Sequence, residues 1–130
     1  MTENLVKLNV NDSLSKAEAL FKKNKIKHLP VVQGNSVVGM LSYSDLLRIS
    51  FADATDDSGE FVESTVYDMF SLEQVMTHKV VCVESDDDIR EVAEILAKKH
   101  FHALPVIEHD KLIGIVTSTD IINFFLEQYN

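Results

Sequence analysis

The sequence is poor in cysteine and has no long apolar segment. Cys82 is the only cysteine among 130 residues, so an internal disulfide is impossible. Its position in the apolar run 80–83 indicates an inert residue in or near a core strand. No apolar run approaches the roughly 18 residues that suggest a membrane span, and the first residues lack the basic start and apolar middle of a signal peptide. We therefore expect a soluble cytoplasmic protein.

Positive charge is also scarce. The sequence contains 12 Lys and Arg against 21 Asp and Glu, which gives a net charge of -9. Seven of the acids lie in residues 51–75, which contain no Lys or Arg, whereas the other 105 residues carry a net charge of only -2. This balance argues against a nonspecific nucleic-acid-binding protein, which needs a basic face for phosphate contact. Because residues 51–75 lack the regular acid spacing and terminal Glu of a calcium loop, we interpret them as a solvated acidic connector.

The usual residue patterns of an enzyme or a metal site are missing as well. The sequence contains no nucleophile with an ordered base, no carboxylate pair in an acid-base setting and no glycine-rich phosphate loop. His100 and His102 lie two residues apart, but no cysteine or nearby third ligand completes a metal site. We expect no catalytic residues and no bound metal.

What the sequence does contain is a tandem repeat. Residues 27–45, KHLPVVQGNSVVGMLSYSD, are matched by residues 102–120, HALPVIEHDKLIGIVTSTD, and the offset of 75 residues holds without a gap back to Met1 and Met76. A constant offset over such a length is the signature of a structural repeat. The chain therefore consists of two similar halves, and the lead-in at 65–75 that precedes the second half has no counterpart before Met1.

Each half has the pattern strand, helix, strand, strand, helix. The predicted strands are 4–8, 29–32, 37–41, 80–83, 104–107 and 112–117. The first helix of each half follows a capping signal, at residues 11–13 and at Ser85 with Asp88, the last helix of each half begins near 42 or 118, and a lead-in helix is predicted at 65–76. A unit this small cannot bury both faces of its sheet alone. We therefore expect an α+β fold in which the two sheets pack about a pseudo-twofold axis.

The two halves resemble paired CBS domains, named after a motif of cystathionine beta-synthase and together called a Bateman module. The resemblance is carried by Met76-Thr77, by the Leu-Pro-Val of 29–31 and 104–106, and by the segments 39–45 and 114–120, which begin with Gly and end with Asp. It covers essentially the whole chain. It implies CBS repeat 1 at residues 1–50, the acidic connector and lead-in helix at 51–75, and CBS repeat 2 at 76–130.

The resemblance also implies a regulatory module that binds an adenosine compound (AMP, ADP, ATP or S-adenosylmethionine) in clefts between the repeats and transmits a conformational change to a partner protein, with no further cofactor. An Asp can accept hydrogen bonds from ribose hydroxyls, and a Ser or Thr three residues earlier can reach the same sugar. By resemblance, one cleft uses Thr2, Asn4, Val6, Ile26, Thr117, Thr119 and Asp120. The other uses Ser42, Ser44, Asp45, Thr77, Lys79, Val81 and Phe101. The phosphate end is assigned to Lys27 and His28 in the first copy and to His102, followed by Ala103, in the second.

Other interpretations stay open for these residues. Ser42 with Asp45, and Thr117 with Asp120, also fit a helix N-cap followed by an acid in the first turn, which stabilises a helix without any ligand. His102 is equally compatible with a structural histidine, and Lys27 with a simple exposed lysine. The apolar runs 46–51 and 121–126 fit a subunit interface, and the family often forms homodimers through such helices. The alternative function is therefore a dimerising interaction module with vestigial, unliganded clefts.

Overall fold

The computed structural model describes residues 5–53, 69–99 and 101–129 of the chain. In order, the elements of these residues are β1 (Leu8–Asn9), α1 (Leu14–Asn24), β2 (His28–Gln33), β3 (Ser36–Ser42), α2 (Tyr43–Asp53), α3 (Leu72–Val75), β4 (Val83–Glu84), α4 (Ile89–Lys98), β5 (Ala103–Glu108), β6 (Lys111–Thr117) and α5 (Ser118–Glu127). The strands form two three-stranded sheets with the orders β1-β2-β3 and β4-β5-β6. The predicted α+β fold is confirmed, and within the described residues the chain divides into a first compact unit, mainly 6–34 and 38–79, and a second, mainly 80–129.

In the first unit, α1 packs its apolar side on the sheet. Ser13 is the N-cap of this helix and its Oγ accepts a hydrogen bond from the Lys16 N–H at 3.1 Å, as the polar residues before the helix predicted. The helix ends at Lys25, whose φ of 54° lies in the left-handed region. The parallel pairing of β1 with β2 then places Leu8 beside Val31 in the buried layer.

The second unit repeats this arrangement. β4 pairs in parallel with β5, and β5 pairs antiparallel with β6 through a turn in which His109 and Asp110 both have positive φ. α4 buries Val92 and Leu96 against the sheet. Pro105 precedes Val106, the first residue of β5 that pairs with β4. At the position of the proline the sheet therefore has only two strands, β5 and β6, and β5 is an edge strand there. A proline is tolerated at such an edge.

The first strand of each unit is shorter than predicted. β1 covers residues 8–9 rather than 4–8, and β4 covers 83–84 rather than 80–83. The reason is that each pairs with its neighbour over two residues only, so the apolar residues before them continue as irregular chain.

Two helix starts also differ from the prediction. The N-cap of α4 is Asp88, which accepts a hydrogen bond from the Arg90 N–H at 3.2 Å, so the capping role predicted for Ser85 is wrong. The lead-in helix, predicted at 65–76, comprises a single turn among the described residues, because a capping box between Ser71 and Gln74 starts the helix at Leu72. Residues 65–68, like most of the acidic connector, lie outside the described residues.

Each unit has its own apolar cluster. The first includes Leu72 and Met76 in addition to residues of α1, α2 and the sheet. Met76 fills the space that a Cβ atom would need at Gly39, and a two-bond bridge joins Met40 to Thr77, with N···O distances of 3.1 and 2.9 Å. The second cluster is built from β4, α4, β5, β6 and α5. Among the described residues, no helix is long and apolar enough to cross a membrane.

Candidate functional site

The strand-to-helix junctions, where β3 meets α2 and β6 meets α5, hold the residues predicted to bind ribose. Thr117 is the N-cap of α5: its Oγ1 accepts a hydrogen bond from the Asp120 N–H at 3.1 Å, and its own N–H donates to Asp120 Oδ2 at 2.9 Å. At the other junction, Ser42 Oγ accepts a hydrogen bond from the Asp45 N–H at 3.0 Å. The helix-capping role that the sequence left open is therefore present at both junctions.

The two aspartates differ in their remaining contacts. Arg48 Nη2 donates to Asp45 Oδ1 at 2.9 Å, with most of the arginine side chain exposed. The residue 75 positions after Arg48 is Asn123, so the second junction lacks this cation. An exposed ion pair adds little stability, but it places a guanidinium at the first junction. Arg48 is not among the residues predicted from the sequence, although its spacing of three residues from Asp45 on one helix is a usable signal.

The residue two positions before each Leu-Pro pair, Lys27 or His102, is tied to its own junction through the main chain. The Tyr43 N–H donates to the Lys27 carbonyl at 2.8 Å, and the Ser118 N–H donates to the His102 carbonyl at 3.0 Å. Both side chains are exposed. Each unit thus brings the main chain of its phosphate candidate beside its own ribose candidates.

The remaining predicted site residues, including those assigned to the adenine, differ in how far they are buried. Val6 and Ile26 are half-buried against the first cluster, and Phe101 is half-buried against the second. The exposed residues are Ser44, Thr77, Lys79, Val81 and Thr119. His28 is half-buried and Ala103 is buried. Thr2 and Asn4 lie outside the described residues.

Cys82 lies in an environment that disfavours its thiolate form. Burial raises the pKa of the Cys82 thiol, and the nearby Glu84 carboxylate raises it further, so the thiol is protonated and a poor nucleophile at neutral pH. Among the described residues, no group of three or more His, Cys, Asp and Glu side chains is arranged to hold a metal ion. His100 lies outside these residues.

Known proteins with similar sequences include some that are much longer than this chain. The uncharacterized protein MJ1404 of Methanocaldococcus jannaschii is 33% identical in an alignment of 131 positions, which covers 98% of this chain but 31% of that protein. Homoserine O-acetyltransferase of Methanohalobium evestigatum is 32% identical over 123 residues, 93% of this chain and 22% of that enzyme. The chain therefore spans about a third or less of the length of these two relatives.

Solved structures share the fold over nearly the full chain. The CBS domain pair of protein MJ0100, in complex with 5'-methylthioadenosine and S-adenosyl-L-methionine, has a TM-score of 0.76 and 25% identity, and the match covers 95% of this chain and 93% of that one. CBSX2 in complex with AMP has a TM-score of 0.78 and 24% identity, with 98% and 91% covered. The sequence pattern of the CBS domain matches residues 1–52 and 72–127. The chain belongs to the CBS domain family and carries two CBS repeats.

Proposed function

We propose that the chain is a regulatory module that binds an adenosine compound (AMP, ADP, ATP or S-adenosylmethionine) and transmits a conformational change to a partner protein. The observation that carries the proposal is the duplicated junction, in which a hydroxyl residue, an Asp and the residue at 27 or 102 come together in the same way twice. The ligands bound by CBSX2 and by the MJ0100 domain pair support it.

The chemistry of the second junction suits a ribose. The capping box uses Oδ2 of Asp120, which leaves Oδ1 as an acceptor for a sugar hydroxyl. Thr117 Oγ1 accepts the Asp120 N–H, and its own hydroxyl hydrogen remains available to donate. The same side chains thus cap the helix and bind the sugar, so the two interpretations of the sequence are compatible.

We propose that the two junctions prefer ligands of different charge. The first offers the cations Lys27 and Arg48, whereas the second has His102 and no arginine at the position that corresponds to Arg48. Because a guanidinium binds phosphate oxygens in a bidentate manner, the first junction should prefer the more highly phosphorylated nucleotide. The second should prefer a ligand with less negative charge.

The test is thermal denaturation of the purified chain against AMP, ADP, ATP and S-adenosylmethionine, followed by calorimetric titration of the ligands that stabilise it. A ligand at about 100 times its Kd stabilises the folded state by about 2.7 kcal/mol and raises Tm. Asp120→Asn and Asp45→Asn, which keep the side-chain shape, should each lower the affinity of one site about tenfold or more, since a charged hydrogen bond is lost.

The control for helix capping is a pair of variants at the second junction. Thr117→Ser keeps the hydroxyl and should change neither Tm nor affinity, whereas Thr117→Val should lower the free energy of unfolding by about 1 kcal/mol through the lost cap and also weaken the ligand. If no adenosine compound raises Tm at millimolar concentration, the sensor proposal is wrong.

The alternative is a dimerising module with unliganded junctions. It is supported by exposed apolar side chains on α5, including Ile122, Phe125 and Leu126. We propose that the chain forms a homodimer under either function and that it has no catalytic role. The acetyltransferase named among the relatives is a much longer protein, of which this chain covers 22%.

A further inference from the structure

Gly39 forms a notch in β3 that the side chain of Met76 fills. A Cβ atom at residue 39 would lie 2.4 Å from Met76 Sδ and 2.9 Å from both Cε and Cγ of that methionine. Among the described glycines, positive φ is found at Gly34, so the glycine at 39 serves a close approach rather than a turn. Met76 is 6% exposed and belongs to the first apolar cluster. Its thioether therefore has a defined seat on the strand.

The residues that follow this contact are joined through the main chain. Met40 comes after Gly39, and Thr77 comes after Met76. The Thr77 N–H donates to the Met40 carbonyl at 2.9 Å, and the Met40 N–H donates to the Thr77 carbonyl at 3.1 Å, which makes an antiparallel bridge. The seated methionine and the bridge together fix the position of residues 76 and 77 against β3.

The bridge brings Thr77 close to a ribose candidate of the first junction. Ser42 lies two residues after Met40 on β3. Residues that exchange two hydrogen bonds have Cα atoms about 5.5 Å apart and a strand rises about 3.4 Å per residue, so the Cα atoms of Thr77 and Ser42 are about 9 Å apart. Opposite residues of an antiparallel pair share a face, and so do residues two apart on a strand. Both hydroxyl side chains therefore lie on one face of the sheet, within the first unit.

The chain after the bridge carries the other adenine candidate, Lys79. The side chains of Thr77 and Lys79 are exposed, and α3 has already ended at Val75. His78 Nε2 lies 2.5 Å from the Glu73 carbonyl oxygen, which is a contact with α3 and not with β3. The contacts that hold segment 76–79 to the strand of Ser42 are thus the seat of Met76 and the two bonds of the bridge.

We propose that Met76 is a positioning residue for the first junction. Seated at Gly39, it holds segment 76–79 against β3, so that the adenine side and the ribose side of the site form one surface before the ligand binds. The inference rests on the proposed function, which assigns Thr77 and Lys79 to the adenine. A preorganised site avoids the cost of ordering the segment at the moment of binding. Coupling is reciprocal, so departure of the segment from β3 weakens the ligand by the same factor as the bound ligand opposes that departure.

The first test measures the attachment of the segment without ligand. Hydrogen exchange of the Thr77 and Met40 amides, the bridge amides, in the full ¹⁵N-labelled chain reports how often the bridge opens. Met76→Ala removes the seated side chain and Gly39→Ala displaces it. Each should accelerate exchange of the bridge amides about tenfold or more relative to the Val10 amide, which donates a hydrogen bond to β2. Gly39→Ala should add nothing in a chain that already carries Met76→Ala, because the atoms that the new Cβ would meet are gone.

Two further variants separate positioning from general stability. Met76→Leu keeps a side chain of similar volume and should leave exchange of the bridge amides near the wild-type rate. Leu8→Ala truncates a fully buried side chain of the same apolar cluster, but on β1, which β2 separates from β3. It should destabilise the unit without accelerating the bridge amides more than the Val10 amide.

The second test adds the ligand. AMP, ADP and ATP are titrated separately into each chain, and the amide shifts of Asp45 and Lys79 give the affinity of the first junction alone. For the nucleotide that binds most tightly, Met76→Ala and Gly39→Ala should raise Kd about tenfold, the equivalent of one strong hydrogen bond. Met76→Leu and Leu8→Ala should bind like the wild type. Saturating nucleotide should slow exchange of the bridge amides in the wild-type chain by about the same factor.

The outcomes distinguish this inference from the proposed function. A wild-type chain whose Asp45 and Lys79 amides respond to none of the three nucleotides at millimolar concentration overturns the function at this junction, and the inference with it. Binding by the wild type with an unchanged Kd in Met76→Ala and Gly39→Ala, or without added protection of the bridge amides, overturns the inference alone. Equal weakening by Leu8→Ala would also overturn it, because the effect would then be one of stability.

Discussion

Cys82 shows how burial and a neighbouring charge together set the chemistry of a side chain. The thiol is half-buried just before β4, and burial is the larger cause of its raised pKa, with the Glu84 carboxylate second. Folding therefore holds a proton on the sulfur that the unfolded chain releases earlier as pH rises. The stability that this group contributes is complete below the ordinary thiol pKa and is lost as pH rises through the raised pKa of the folded state.

Glu84→Gln should lower the pKa of Cys82 toward, but not to, the ordinary thiol value, because burial remains. The expected result is faster alkylation of Cys82 by iodoacetamide at mildly alkaline pH, with the rate profile displaced to lower pH. Mass spectrometry of the single cysteine measures the rate. Glu108→Gln serves as the control, and an unchanged profile for Glu84→Gln would show that the carboxylate has no influence on the thiol.

At the scale of an element, α3 is a helix that packing holds in place. Four residues are too few for an isolated helix to persist in water. The capping box between Ser71 and Gln74 provides hydrogen bonds for only some of the backbone groups at the ends of the helix. Burial of Leu72 in the first apolar cluster supplies the remaining stabilisation. α3, which lies between the repeats, is therefore part of the first unit's core.

Leu72→Ala should lower the free energy of unfolding by about 2–5 kcal/mol, the range for a buried leucine that leaves a cavity. Met69→Ala, at a side chain that is 67% exposed in the same segment, should change it by less than about 0.5 kcal/mol. Urea denaturation followed by circular dichroism measures both. A small effect at Leu72 would mean that the first unit closes without α3.

At the scale of the whole molecule, α5 presents an apolar stripe that its own unit does not cover. Ile122, Phe125 and Leu126 are each about half exposed, and Tyr129 is 88% exposed. Their spacing of three and four residues places them along one side of the helix. An apolar stripe of this kind is typical of an interface with a second chain.

Phe125→Lys should convert the proposed homodimer to a monomer, because a charge on the stripe must be desolvated in the interface. Glu127→Lys introduces the same residue on the side of α5 away from the stripe and should leave the molecular mass unchanged. Sedimentation velocity at several concentrations gives the mass of each variant. A wild-type chain that stays monomeric throughout would contradict the homodimer.

Much of this architecture was predictable from local pattern and duplication. The capping residues before α1, the apolar strands β2, β3, β5 and β6, and the duplicated junctions all follow from residue type and the 75-residue offset. The short first strands were not predictable, because their length is set by pairing with a distant strand. Ser85 and Asp88 are both good N-caps, so sequence alone did not decide between them.

The main-chain bonds from Tyr43 to Lys27 and from Ser118 to His102 use carbonyl oxygens, which every residue possesses. The side chains at 27 and 102 can therefore change freely without loss of these bonds, and the two repeats already differ there, with Lys in one and His in the other. Under the proposed function, a gene that carries this duplication can thus acquire a new ligand preference by substitution at a single codon in one copy, while the other copy keeps the old one.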